Sequence, residues 1–249
     1  LIGSLCIFYL LPTKNVNLEK NVKCENRKFI TTWDDGRLGN MMCAYATLFA
    51  YAKKFNLKPV ITERLSKGLS MFPNLSYKDF HNKCEFQWTL FTTEEMKKVS
   101  NDEIEKIKNV KISTFACEIE EFHQYRKDIF AEFQFDKKIE KKAENYLKEI
   151  QSENYVGIHV RRTDYISFFK NKYNKSIPNL SYYKRAMQYF KQKYHNVTFV
   201  LISDDKKWCK KFIANNSRNV IVTPKDNSPE LDLCIIKKCN DTIISVGTF

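Results

Sequence analysis

The sequence lacks the patterns that mark several common classes of protein. No Cys-x-x-Cys pair occurs among its 8 cysteines, and its 4 histidines are scattered, so we expect no metal site. Lys and Arg outnumber Asp and Glu by 42 to 29, yet no basic stripe with interleaved stacking aromatics accompanies the net charge of +13. An anionic substrate or a membrane-adjacent location fits this charge as well as nucleic acid does. A nucleic-acid-binding function would thus rest on charge alone, and we expect no nucleic-acid partner.

The N-terminus also lacks the run of about 20 apolar residues that crosses a bilayer. Its first residues, LIGSLCIFYLLP, are apolar but end at Pro12. We interpret residues 1–12 as part of a signal anchor and residues 13–28, rich in Asn, Lys and Glu, as a stem. A buried N-terminal segment is the alternative. Glycosylation sequons favour a lumenal location, and they begin at Asn74, Asn174, Asn179, Asn196, Asn215 and Asn240.

The rest of the chain has the composition of a packed globular protein, with 43% hydrophobic and 14% aromatic residues. Its patterns divide into an α/β half at residues 29–150 and a second at residues 151–249. In the first, a predicted strand from Phe29 to Trp33 meets a turn with two glycines, Gly36 and Gly39. Asn40 is a predicted N-cap for the next helix, whose apolar face is Met42, Tyr45, Ala46, Phe49 and Ala50.

The predicted strand from Lys58 to Thr62 completes a βαβ unit with backbone amides suited to an anion. The sequence TTEE, beginning at Thr92, predicts a capping box for one or two helices through Lys108. A strand from Val110 to Phe115 and a helix from Asp136 to Ile150 follow. The segment from Glu63 to Phe91 has no clear pattern.

The second half alternates strands with helices, which predicts a parallel, doubly wound sheet. A loop containing Phe168, Phe169 and Pro178, and then a helix capped by Ser181, follow its first strand. The predicted strands are 156–160, 197–202, 220–222 and 242–246. The later predicted helices are 205–214 and 230–239.

Polar residues follow each of these strands. The first strand leads from YVGIHV directly into Arg161, Arg162 and Asp164, and a guanidinium fork at a strand end suits a phosphate or diphosphate. Because ligands of open α/β sheets bind outside the carboxyl ends of the strands, the sequence predicts a nucleotide diphosphate at this edge. The residues after the later strands are Ser203, Asp204 and Asp205, then Thr223 and Pro224, then Gly247, Thr248 and Phe249.

Five segments together resemble the α1,2-fucosyltransferases of glycosyltransferase family 11. They are GRLGN, MCAYATLFAYAK, GIHVRRTDY, FVLISDDKKWCK and CNDTIISVGTF, in the order typical of that family, and they span residues 35–249. The pattern His-x-Arg-Arg-x-Asp after a strand is the most specific of them. Fucosyltransferases of other linkages, including α1,6- and protein O-fucosyltransferases, are similar around the arginine pair.

The resemblance implies an α/β GT-B-like fold, with two Rossmann-like halves and a nucleotide-sugar cleft between them. It implies transfer of fucose from GDP-fucose to the 2-hydroxyl of a terminal galactose on a glycan, with inversion and without a metal or other cofactor. It also implies a type II Golgi membrane protein whose catalytic part is lumenal. A degenerate relative that binds a nucleotide sugar or glycan without turnover is the second hypothesis.

The resemblance also implies roles for individual residues. Arg161 would bind the β-phosphate and stabilise the departing GDP, with Arg162 and His159 shaping that loop or assisting. Gly36, Arg37, Gly39 and Asn40 would face the donor across the cleft. The guanosine and fucose pocket would be lined by Ser203, Asp204, Asp205, Asp232, Thr248 and Phe249.

Three points stay open at the level of sequence. Asp164 is a candidate catalytic base, but orienting Arg161 or Arg162 by a salt bridge suits it equally well. The adjacent Asp204 and Asp205 suit ribose hydroxyls or helix capping better than a metal. Met41 stands where members of the family commonly have Gln, and those members continue past the position of Phe249, so the resemblance implies a C-terminal half that is incomplete here.

Overall fold

The computed structural model describes residues 28–77 and 87–247. The predicted anchor, nearly all of the stem, Thr248 and Phe249 lie outside these ranges. Within them, no helix has the length and apolar character needed to cross a membrane.

Two four-stranded sheets form the framework, and every pair of neighbouring strands in them is parallel. The first sheet has the order β2-β1-β4-β3, and the second has the order β7-β6-β5-β8. The strands are β1 (Phe29–Thr32), β2 (Lys58–Pro59), β3 (Thr89–Phe91), β4 (Asn109–Ile112), β5 (Tyr155–Val160), β6 (Thr198–Ser203), β7 (Val220–Val222) and β8 (Asp241–Ile244). The fold is therefore α/β with parallel sheets, as the alternating pattern predicted.

Helices connect the strands in both halves. Those of the first half are α1 (Leu38–Lys54), α2 (Glu63–Gly68), α3 (Thr93–Lys98), α4 (Asn101–Glu105), α5 (Ile119–His123), α6 (Arg126–Glu132) and α7 (Lys137–Ile150). Those of the second are α8 (Thr163–Tyr173), α9 (Leu180–Lys193), α10 (Lys206–Cys209), which continues as a π-helical turn over Lys210–Ala214, and α11 (Pro229–Lys237).

The central strands β1 and β5 determine where a ligand can bind. Each has a neighbour on both sides, and the chain leaves β5 first toward β6 and returns to its other side as β8. Such a reversal opens a crevice at the carboxyl ends of the strands. Arg37 follows β1 and Arg161 follows β5, so both arginines lie at strand ends beside a reversal of this kind.

The buried residues form two clusters on opposite faces of the second sheet, and one of the clusters contains residues of both halves. One core cluster contains Tyr45 and Leu48 of α1 together with Leu147 of α7 and Ile235 of α11. The other lies on the opposite face of the second sheet and includes Tyr183 of α9. Since α7 packs against α11, residues just before position 150 contact the second half directly.

Most predicted elements of the second half agree with the structure to within about two residues, which is the usual uncertainty of element ends. The predicted helix from Asp136 to Ile150 is α7, with Asp136 as its N-cap. The capping box at Thr92 begins α3, and a second box at Ser100 begins α4. In the first half, β2 and β4 are shorter than predicted, and β3, α2, α5 and α6 were not predicted.

The prediction that Asn40 caps α1 was wrong. The helix begins at Leu38, Arg37 occupies the N-cap position, and Asn40 lies within the first turn. Gly36 explains this, because its φ of +99° lets the chain turn before Leu38, and a Cβ there would lie 2.4 Å from Nδ2 of Asn40. The prediction of a single apolar face was also too narrow, since every residue from 44 to 52 is buried.

Two predictions between β5 and β6 were wrong as well. Phe168 and Phe169 lie in α8 and not in a loop, and the following helix is capped by Asn179 and not by Ser181. The side chain of Asn179 accepts a hydrogen bond from the backbone N–H of Tyr182 at 3.2 Å. Tyr165, Phe168, Phe169 and Tyr173 recur at helical spacing, a signal that the loop prediction overlooked, although α8 buries none of its residues.

Candidate active site

Arg161 lies directly beyond the end of β5 and is only 6% exposed. Its backbone N–H donates to Oγ of Ser245, which fixes the chain where β5 and β8 end together. The guanidinium lies 2.7 Å from the carboxylate of Asp164 and 3.4 Å from that of Asp204. Its Nε is buried and has no hydrogen-bond partner among the described residues. A buried donor without a partner is costly, which is the condition expected of a group that receives an anion.

The side chain of Arg162 makes different contacts from that of Arg161. Its guanidinium carbon lies 3.7 Å from the centre of the Trp208 ring, and its Nε lies 3.4 Å from the carboxylate of Asp205. Its backbone N–H donates to Asp204 at 2.9 Å. Arg162 therefore ties the end of β5 to the start of α10 and does not line the cleft described below.

Asp164, in the first turn of α8, contacts both Arg161 and, at 3.4 Å, Arg37. Partial burial alone would raise the pKa of this carboxyl group, but the two arginines outweigh that effect and hold its pKa below the ordinary value. Asp164 is therefore ionised near neutral pH and is a weak base.

His159 is nearly buried in β5. Burial, reinforced by the positive charge of Arg161 and opposed by Asp204, lowers its pKa to about 4. The imidazole is consequently neutral near pH 7 and contributes no positive charge to the site.

Ser203, Asp204 and Asp205 at the end of β6 hold one another and the arginines in place. Oγ of Ser203 accepts a hydrogen bond from the backbone N–H of Asp205 at 2.9 Å. The Asp205 side chain in turn accepts from the backbone N–H of Trp208, so it caps α10, one of the two roles that the sequence suggested. Asp204 accepts from the backbone N–H of Arg162 and from the hydroxyl of Thr163.

These residues border a cleft of about 710 Å³ that contains residues from both halves. From the first half come Arg37, Leu38, Met41 and Gly68. Of the residues predicted for the site, the cleft is lined by Arg37, His159, Arg161, Ser203, Asp204, Asp205 and Asp232. Gly36, Gly39, Asn40, Arg162 and Asp164 do not line it directly, and Thr248 and Phe249 lie outside the described residues.

The cleft also contains basic residues that the sequence analysis did not select, namely Lys206, Lys207 and Lys225. The first two directly follow Asp205 at a strand end, and extending the strand-end argument by two residues would have found them. Lys206 forms a buried ion pair with Asp232 at 3.1 Å, and Nδ2 of Asn227 donates to the same carboxylate at 2.8 Å. The sequence pattern of α11 could not predict these contacts of Asp232, because Lys206 and Asn227 both lie outside that helix.

The described residues contain no group of three or more His, Cys, Asp or Glu side chains arranged to hold a metal ion. Cys43 of α1 and Cys117 are joined by a disulfide, while Cys209, Cys234 and Cys239 are free thiols. The carboxylates beside Arg161 and Arg162 take part in ion pairs and helix capping instead.

Comparison with models of protein families shows which family this chain belongs to. A model of glycosyl transferase family 11 matches residues 7–249. The chain belongs to this family. Galactoside 2-alpha-L-fucosyltransferase SEC1 of Bos taurus is 28% identical to it over 223 residues, which cover 86% of this chain and 60% of that protein. The chain thus spans about three fifths of the length of that curated relative.

Solved structures show the fold of this family 11 chain. NodZ α-1,6-fucosyltransferase of Bradyrhizobium, soaked with GDP-fucose, superposes with a TM-score of 0.53 at 15% identity, covering 88% of each chain. POFUT1 in complex with GDP superposes with a TM-score of 0.57 at 9% identity, covering 88% of this chain and 91% of that one. The GT-B-like fold predicted from the resemblance is confirmed.

Proposed function

We propose that this protein transfers L-fucose from GDP-fucose to the 2-hydroxyl of a terminal galactose on a glycan, with inversion at the anomeric carbon. The observation that carries the proposal is Arg161, a buried guanidinium with an unsatisfied Nε, at the strand end that borders the cleft. Family membership and the galactoside 2-alpha-L-fucosyltransferase relative support the reaction and the acceptor.

In this reaction the bond between the fucose anomeric carbon and the β-phosphate oxygen breaks, and its electron pair leaves with GDP. The acceptor oxygen forms the new bond to the anomeric carbon and releases its proton to water. Arg161 neutralises the charge that develops on the leaving diphosphate, and it is held for this purpose by Asp164 and Asp204. Lys206, Lys207 and Lys225 add positive charge to the same cleft.

The contacts of Asp164 favour an orienting role over that of catalytic base. Its carboxylate is paired with two arginines, and their charges lower its pKa and weaken it as a proton acceptor. Late deprotonation of the acceptor, in a transition state with advanced cleavage of the donor bond, removes the need for a strong base.

The reaction needs neither a metal nor another cofactor in this proposal, because arginine and lysine side chains supply the positive charge that a cation would otherwise provide. Unchanged turnover in excess chelator is the expected result. Loss of turnover that manganese restores would contradict it.

We place the protein in the Golgi membrane, anchored by its N-terminal segment, with the catalytic part in the lumen. The disulfide between Cys43 and Cys117 supports an oxidising compartment, since such bonds are rare in the cytosol. The six sequons support the same location. Retention of the full-length protein in membranes washed with high salt is the expected result, whereas release would contradict the anchor.

A specific feature of the cleft favours a second candidate, nucleotide-sugar or glycan binding without turnover. Met41 lines the cleft and packs so closely on α2 that a Cβ on Gly68 would lie 2.1 Å from its sulfur. A thioether there cannot make the hydrogen bonds of the Gln that relatives carry. A fucosyltransferase of another linkage is the remaining alternative.

The experiment is calorimetric titration of GDP and GDP-fucose into the wild type and Arg161→Lys, with Arg185→Lys, at an exposed position of α9, as the matched control. The lysine keeps the charge but loses the planar fork, so we expect at least a tenfold loss of GDP affinity, which is about 1.4 kcal/mol. The control should bind as the wild type does. Absence of GDP binding by the wild type, or equal binding by Arg161→Lys, would contradict the proposal.

Turnover with a β-galactoside acceptor, followed by NMR assignment of the product linkage, then separates the alternatives. An α1,2 product supports the proposed reaction. GDP binding without any product supports the binding protein, and a product of another linkage corrects the acceptor position.

A further inference from the structure

Helix α8 carries an aromatic surface, defined here by Tyr165, Phe168, Phe169 and Tyr173, that no core covers. None of its residues is buried, whereas α1, α7, α9 and α11 each bury two or more. Phe168 is 40% and Tyr173 is 49% exposed. An apolar patch of this kind on a protein surface marks a place where something binds.

The rings form one continuous face. Tyr165 lies 5.3 Å from Phe168 and 5.8 Å from Phe169, and Tyr173 lies 6.0 Å and 5.2 Å from the same two rings. The spacing of the four positions places them on one side of a helix. Lys172 covers Phe168 from one direction, with its Nζ 5.3 Å from the ring centre.

The aromatic surface meets the candidate active site at Arg161, although none of its four rings lines the cleft. The guanidinium carbon of Arg161 lies 5.3 Å from the centre of the Tyr165 ring, so the diphosphate-binding arginine and the first ring are in contact. A Cβ on Gly247 would lie 2.5 Å from that ring, which shows that the chain leaving β8 passes close against it. Asp164 and Arg37, joined by their ion pair, lie beside the same end of α8.

We infer that the aromatic surface of α8 is the platform on which the galactoside acceptor stacks. The inference rests on the proposed function and names the acceptor subsite of that reaction. The acceptor must reach the fucose from outside the diphosphate site, and the surface extends outward from Arg161. The axial hydroxyl of galactose leaves several C–H bonds on one face of the sugar, and such a face packs on aromatic rings while its hydroxyls remain hydrated.

The test compares acceptor kinetics of Phe168→Ala and Tyr173→Ala with those of two matched controls, Phe130→Ala on α6 and Tyr189→Ala on α9. Both control side chains are also exposed, at 64% and 61%, and do not line the cleft. We expect each α8 variant to raise the acceptor KM about three- to tenfold, the range expected for one aromatic contact, with kcat, the GDP-fucose KM and the calorimetric Kd for GDP unchanged. The controls should match the wild type.

A second pair of variants distinguishes stacking from simple burial. Phe168→Tyr keeps a flat ring and should retain the wild-type acceptor KM, whereas Phe168→Leu keeps an apolar side chain and should behave as Phe168→Ala does. Equal KM values in the leucine and tyrosine variants would contradict the inference.

Failure of the inference can be told from failure of the proposed function. A wild type that transfers fucose to galactosides, while Phe168→Ala and Tyr173→Ala keep the wild-type acceptor KM, overturns only the platform. A wild type without transfer to galactosides overturns the proposed function and the inference together. Self-association of the wild type in sedimentation, lost in the α8 variants with an unchanged KM, would assign the surface to a second copy and overturn the inference.

Discussion

The Arg37 guanidinium lies 3.4 Å from the carboxylate of Asp164, which joins the segment before α1 to the first turn of α8. Since Asp164 also contacts Arg161 at 2.7 Å, a residue of the first half is linked through one carboxylate to the buried arginine of the second. Both partners of the first contact are more than half exposed, so its contribution to the free energy of unfolding is small, on the order of 0–1 kcal/mol. We expect its importance to lie in the geometry of the site.

Asp164→Asn tests the orienting role. Because the amide keeps the shape and one hydrogen-bond acceptor, we expect kcat to fall less than about tenfold, whereas loss of a general base costs typically about 10²- to 10⁴-fold. Steady-state kinetics with saturating GDP-fucose provide the measurement.

Arg37→Ala is the companion variant. If Asp164 were the base, removing a neighbouring positive charge would raise its pKa and move the acid limb of the kcat profile to higher pH. We expect that limb to stay where it is, and a shift would argue for the base.

His159 should make stability depend on pH. Its folded-state pKa of about 4 is below the unfolded value of 6.5, so between these values the unfolded chain binds more protons. Stability contributed by neutral His159 is therefore fully present above pH 6.5 and is lost as the pH falls toward 4, by at most about 3 kcal/mol. Urea unfolding of the wild type and His159→Gln across this range measures the effect.

The variant removes the titrating group and keeps a polar side chain of similar length. The difference in unfolding free energy between the two proteins should thus change with pH over this window. A constant difference would mean that His159 titrates normally in the folded protein.

Gly157 allows α11 to pack closely on β5. A Cβ at this position would lie 2.4 Å from Cγ1 of Ile236, well inside contact distance. We expect Gly157→Ala to destabilise the protein by about 1–3 kcal/mol, the usual cost of overpacking a core. Denaturant unfolding gives the free energy.

The double variant Gly157→Ala with Ile236→Ala makes this prediction specific. Ile236→Ala alone leaves a cavity, but in the double variant the new methyl group occupies part of it. The loss of unfolding free energy in the double variant should therefore be smaller than the sum of the losses in the two single variants. Strict additivity would mean that Ile236 is not what limits the space at Gly157.

Local signals determined much of the fold. The capping boxes at Thr92 and Ser100 and the alternation of strands with helices after residue 155 each follow from a few neighbouring residues. Helix α8 was missed although its aromatic residues recur at helical spacing, and only the structure shows that this face is not covered by a core. The failure of Asn40 as a cap has another cause, since the conformation of Gly36 sets where α1 begins.

The sequence by itself determined that Arg161 and the aspartates follow parallel strands, because strand ends can be located from β-forming residues and the turns after them. The resemblance implied different roles for the two arginines, but only the tertiary structure decided the contacts by which they differ. Arg161 is buried at the cleft, while Arg162 stacks on Trp208 and pairs with Asp205. Adjacent residues at a strand end have no fixed side-chain direction of their own, and contacts with distant segments provide it. The same holds for Arg37 and Asp164, which are brought together only when both halves have folded.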